Sequence, residues 1–113
     1  MIEATFKRRA TGQIVSFELS GHANSGPYGS DIVCAGVSAL AFNTVNSIDA
    51  LAGFTPIVEV DAVDEGYLYL ETYDDITDEQ SAKSQLLLES LVLGLQGLQE
   101  EYSDFISLKT INN

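Results

Sequence analysis

Cys34 and His22 are the sole thiol and the sole imidazole in this 113-residue chain, and both lie in the stretch GHANSGPYGSDIVCAGVS at residues 21–38. A cysteine thiolate is a strong nucleophile. A nearby imidazole can take the thiol proton and return it to a leaving amine, steps worth about 10²–10⁴-fold. The eleven residues between the two can extend well past hydrogen-bonding distance, so the spacing permits a dyad without requiring one. Cys34 also falls within the first turn or so of a strongly apolar helix expected over residues 31–52. Free backbone N–H groups and the positive end of the helix dipole would stabilise a thiolate there. These features point to a small cysteine-dependent hydrolase. The competing reading is that Cys34 is a small buried hydrophobe, as unpaired cysteines often are.

Asp31, Cys34 and Ser38 stand at i, i+3 and i+7 and share one helix face. Asp31 can cap the helix, the favoured reading, or orient the His22 ring. Ser38 can hydrogen-bond the sulfur or bond back to the carbonyl four residues earlier. The loop at residues 23–29 is rich in turn formers: Asn24, Gly26, Pro27 and Gly29. With Gly21, Ala23, Ser25, Tyr28 and Ser30 it reads as a substrate loop, a lid that opens for an extended peptide and brings N–H donors to an oxyanion. As a phosphate cradle it lacks the lysine and hydroxyl of a nucleotide-binding loop. One histidine and one cysteine fall short of a zinc site, and Asp74, Asp75, Asp78 and Glu79 lack calcium-loop spacing. No metal or organic cofactor is expected.

The surrounding elements follow from periodicity. Ile2, Ala4 and Phe6 alternate with polar residues, as do Val15, Phe17 and Leu19, giving a hairpin whose second strand delivers Gly21 and His22. The helix at residues 31–52 is apolar on almost every side, which suits the middle of a fold, and Gly53 and Pro56 stop it. A second hairpin pairs Val58 and Val60 with Leu68 and Leu70 across a turn at Asp64, Glu65 and Gly66. Thr77 and Gln80 have capping-box spacing, and Leu87, Leu91, Leu95, Leu98 and Tyr102 mark the core face of a second helix. Gly94 and Gly97 weaken that helix and would permit close packing of another helix or subunit. A strand at Ile106 and Leu108 closes the chain. The reading is a single α+β domain over residues 1–113, ββαββαβ, with a largely antiparallel sheet packed with two helices.

Composition limits the partners. Five Lys and Arg against 17 Asp and Glu give a formal net charge of −12, and no Lys or Arg occurs between Arg9 and Lys83. Direct nucleic-acid binding is opposed along that stretch, and a cationic or neutral protein partner is favoured. A single cysteine and the absence of a basic-then-apolar leader suggest an intracellular setting, and no apolar run is read as long enough to span a bilayer.

The residues GHA at 21–23, the loop glycines and DIVCAGVSAL at 31–40 resemble the Prp family of ribosomal-processing cysteine proteases. The resemblance implies a cytoplasmic homodimer with Cys34 as nucleophile and His22 as its base. It also implies a substrate: a large-subunit ribosomal protein precursor, cut after aromatic residues and ahead of a small residue and a lysine-rich stretch to remove a short N-terminal extension. Family members often carry alanine at the position of Gly36. The alternative is a non-catalytic, ribosome-associated module that binds a basic protein through its acidic surface, with Cys34 as packing.

Overall fold

In the computed structural model, residues 1–21, 28–61 and 66–112 are described, with residues 28–31 described for their backbone only. Strand β1 (Ile2–Arg8) buries Ile2, Ala4 and Phe6 and exposes Glu3 and Lys7. Strand β2 (Ile14–Ser20) pairs with it antiparallel, placing Phe17 opposite Phe6 with ring centroids 5.7 Å apart. Strands β3 (Ile57–Val60) and β4 (Tyr67–Glu71) form the second antiparallel pair, and β4 lies against β2. Strand β5 (Ile106–Asn112) runs parallel to β1, completing the order β3-β4-β2-β1-β5. The ββαββαβ order and the largely antiparallel sheet match the expectation from periodicity. The parallel β1–β5 pair makes the sheet mixed.

Two helices share one core with the buried residues of the strands: α1 (Tyr28–Ser47), extended by a π-helical turn Ile48–Ala52, and α2 (Asp78–Glu101). The other face of the sheet leaves Glu3, Lys7, Ser107 and Lys109 exposed. Helix α1 was expected to be buried all round. Instead Val33, Val37, Ala41 and Ile48 pack inward while Ile32, Ala35, Ala39 and Phe42 form an exposed apolar stripe. In a two-layer fold a helix on the sheet has protein on one side only. The segment Ile32–Ala52 is also long and apolar enough to cross a membrane by length and composition, contrary to the bilayer reading. Here it forms part of the packed helical layer. Gly53 ends it in a left-handed conformation (φ 82°), its N–H donating to the Ile48 carbonyl.

The expected capping box begins α2: Thr77 Oγ1 accepts from the Gln80 N–H, and Gln80 Oε1 accepts from the Thr77 N–H. Its core face is centred on Ser84, Leu88, Leu91 and Leu95, with Leu87, Leu98 and Tyr102 half-buried beside it. Gln85 uses both ends of its amide on the Ile14 backbone, and Gln99 accepts from the Leu108 N–H, tying the helix to the central strand β2 and the edge strand β5. Gly94 is close-packed, since an added Cβ would sit 3.0 Å from Leu40 Cδ1 of α1. Around Gly97 there is open space, so packing within the chain accounts for only Gly94. Arg8 clamps the sheet to α2 through a two-pronged pair with Glu89, at 2.6 and 3.1 Å.

Candidate active site

The end of β2 is fixed by Gly21. Its φ of +88° is strained for any other residue, and an added Cβ would overlap the Met1 carbonyl oxygen. That carbonyl is held, because the same peptide unit's N–H, on Ile2, donates to the Phe105 carbonyl at 2.8 Å. Close approach of two backbones thus sets the direction in which the chain leaves the sheet, one residue before His22. His22 itself lies outside the described residues, as do Ala23, Asn24, Ser25, Gly26 and Pro27. The turn at Asp64 and Glu65 lies outside them as well.

Helix α1 begins at Tyr28, three residues before the expected start. The backbones of Tyr28, Gly29 and Ser30 are therefore helical, where a loop was expected, and Asp31 lies inside the first turn, so it is not the N-cap. Two glycines obscured the start, although a proline directly ahead of a segment is itself a helix-opening signal. The earlier start also moves Cys34 into the second turn, past the four unsatisfied N–H groups. Dipole stabilisation fades within the first turn, so it acts on Cys34 more weakly than expected.

Cys34 is a free, half-buried thiol. It lies on the wall of a cavity of ≈ 210 Å³ whose other walls come from four strands and from further along α1. Val37, Ser38, Ala41 and Phe42 continue the helical wall below Cys34, Ile2 and Leu19 form the floor from β1 and β2, and Gly21 lines the rim. Val60 of β3 with Gly66, Tyr67 and Leu68 at the start of β4 closes the far side. The structure thus brings Cys34, Ser38 and Gly21 to one cavity, with Ser38 exposed one turn beyond the sulfur. Val37 and Ala41 could have been found from helical spacing, at i+3 and i+7 from Cys34. The strand residues carried no signal, because they reach the cavity only through sheet pairing.

Across the sheet from the cavity, on the open face that carries Glu3 and Lys7, polar groups pair. The half-buried Tyr67 hydroxyl donates to Glu18 Oε2 at 2.9 Å and the Tyr69 hydroxyl to Glu71 Oε1 at 2.6 Å. The hydrogen bond to Glu18 is the largest cause holding the Tyr67 phenol above its ordinary range, followed by burial and the charge on Glu18. Tyr69 is raised in the same way, first by Glu71 and then by burial. Negative charge alongside the phenols disfavours phenolate.

A small α+β domain with one free cysteine opening onto a largely apolar cavity is the architecture of a thiol-dependent enzyme. Over residues 1–107 the chain matches the family described as Cysteine protease Prp. It is 40% identical over 110 residues to the ribosomal processing cysteine protease Prp of Bacillus subtilis (strain 168), covering 97% of each chain. The crystal structure of SMU.848 from Streptococcus mutans superposes with a TM-score of 0.87 at 43% identity, covering 100% of this chain and 96% of that one. An essential ribosomal processing protease Prp from S. aureus, in complex with a covalently linked product peptide, superposes with a TM-score of 0.83 at 34% identity, covering 97% and 99%. The chain belongs to the Prp cysteine protease family and is a cysteine protease, which sets aside the non-catalytic binding module.

Proposed function

We propose that this protease removes a short N-terminal extension from a large-subunit ribosomal protein precursor, with Cys34 as nucleophile and His22 as its acid and base. The observation that carries the reading is the seat of Cys34, half-buried on the wall of a cavity with room for an apolar side chain. His22 takes the thiol proton, and Sγ bonds to the scissile carbonyl carbon to give a tetrahedral oxyanion. Collapse expels the amine, which takes the proton from His22 and leaves an S-acyl enzyme. Water then attacks the thioester, losing a proton to His22, and the thiol returns with its proton. Asp31 orients or supports this pair, Ser38 lies beside the sulfur, and the substrate loop covers the peptide. A net charge of −12 attracts a lysine-rich segment and repels nucleic acid.

We place the enzyme in the cytoplasm as a homodimer that uses its exposed apolar residues, Ile32, Phe42, Leu86 and Leu93 among them, against a second copy and not against a membrane. Sedimentation equilibrium checks this; a monomer at micromolar concentration would refute it. The activity is tested on a peptide carrying the extension and the start of the mature protein. Wild type should yield two fragments by mass spectrometry, and both Cys34→Ala and His22→Ala should abolish cleavage; retained turnover in either removes the mechanism.

A further inference from the structure

Strand β3 stands at one end of the sheet, and among the described residues no strand pairs with its outer edge. Which backbone groups face that edge follows from two hydrogen bonds. The Asp61 N–H donates to the Tyr67 carbonyl, so Asp61, Glu59 and Ile57 turn their N–H and C=O groups toward β4. The Thr72 N–H donates to the Val15 carbonyl, so Thr72, Leu70 and Leu68 turn theirs toward β2, leaving Tyr67, Tyr69 and Glu71 for β3. Both bonds give one answer: the N–H and C=O groups of Val58 and Val60 point away from the sheet. Val60 is half-exposed, and it lines the same cavity as Cys34.

We infer that an extended peptide substrate binds as a sixth strand on β3, its backbone pairing with Val58 and Val60 and its alternate side chains directed toward the Cys34 cavity. The inference deepens the proposed endopeptidase reading and rests on it. Strand addition satisfies edge groups and leaves specificity to alternate side chains. On the helix side of the added strand lie Val60 and the cavity, which take an apolar side chain. On the open side stand the exposed Glu59 and Asp61, which suit a lysine or arginine. The same two carboxylates oppose pairing of β3 with a second copy of this acidic chain, so a cationic peptide is the occupant that the edge fits.

Binding of fluorescent precursor peptide to Cys34→Ala tests this by polarisation, with single N-methyl groups walked along the peptide backbone. An N-methyl amide that faces Val58 or Val60 loses a hydrogen bond, for about a tenfold weakening, and its neighbours lose little, giving a period of two. Proline at Val60 removes an outward N–H and leaves the β3–β4 ladder whole. Val60→Pro should therefore also weaken binding about tenfold with an unchanged melting temperature. Val60→Ala, which keeps the N–H, separates the backbone bond from loss of the valine side chain: it should bind more tightly than Val60→Pro. Weakening without a period of two, no N-methyl sensitivity, equal binding by the two Val60 variants, or no binding of the unmodified peptide each overturns the inference. Alternating losses with no cleavage by wild type would uphold the pairing and sink the endopeptidase reading.

Discussion

Replacing Gly21 by alanine tests how the chain is aimed into the active-site loop, and Gly12 supplies the control. Both glycines have left-handed backbones, φ 88° and 92°, so alanine costs about 1–2 kcal/mol at either through the backbone alone. They differ in what the new methyl meets: nothing within 4 Å at Gly12, but the Met1 carbonyl oxygen at Gly21. That oxygen cannot retreat freely, because its peptide unit is bonded to Phe105 and continues into β1 through the buried Ile2. Relieving such a contact by shifting packed backbone costs a further ~1–3 kcal/mol. Gly12→Ala should lower stability in urea, followed by far-UV circular dichroism, by about 1–2 kcal/mol, and Gly21→Ala by roughly 2–5 kcal/mol. The displaced strand end should also slow peptide cleavage more than Gly12→Ala does. Equal stabilities within ~0.5 kcal/mol would refute the backbone contact as the reason for glycine at this position.

Gly36→Ala should raise stability by about 0.5–1 kcal/mol, since a Cβ there would meet Leu98 Cδ1 at an ordinary 3.5 Å within a helix; calorimetric melting reads the gain. Leu88→Ala should cost about 2–5 kcal/mol from a fully buried site, whereas Leu86→Ala, at 72% exposure, should change stability by ~0.5 kcal/mol or less in the same urea assay. Tyr67 and Tyr69 should ionise above the ordinary tyrosine range in an ultraviolet titration, and Glu18→Gln and Glu71→Gln should each return one of them toward it. Because both folded values are raised, their stabilising contribution is complete below the unfolded tyrosine pKa and is lost as pH climbs through the folded ones, so wild type should lose stability over that alkaline interval and the two variants should lose less of it.

Strands and hairpins were legible because buried residues alternate with exposed or half-buried ones along β1 and β4, and in β2 the same alternation is interrupted only by Ser16, buried beside Phe17. The Thr77 and Gln80 capping box was legible for an equally local reason, two side chains each meeting a backbone N–H three residues away. Helix α1 was misjudged at both levels. Its start was hidden by Gly29, and its uniform apolarity suggested burial where Ile32 and Phe42 stand exposed, because hydropathy cannot say how many layers a fold has. On α2 the run Leu86, Leu87 and Leu88 fits several helix faces, and only the sheet beneath selects Leu88. Cys34 stood out as the sole thiol, yet the cavity beside it is assembled from residues as distant as Ile2 and Leu68, whose meeting depends on strand order. Where the Gly21 strand end meets Met1 is a contact between backbones, and no side-chain pattern encodes it.

Trapping the covalent intermediate tests the assignment of Cys34 most directly. Wild-type chain mixed with the precursor peptide, acid-quenched within milliseconds and digested, should carry the N-terminal fragment as a thioester on Cys34, with mass equal to that fragment less one water. Cys34→Ala should carry none and cleave nothing. An acyl group found on any other residue, or cleavage undiminished in Cys34→Ala, would contradict the account.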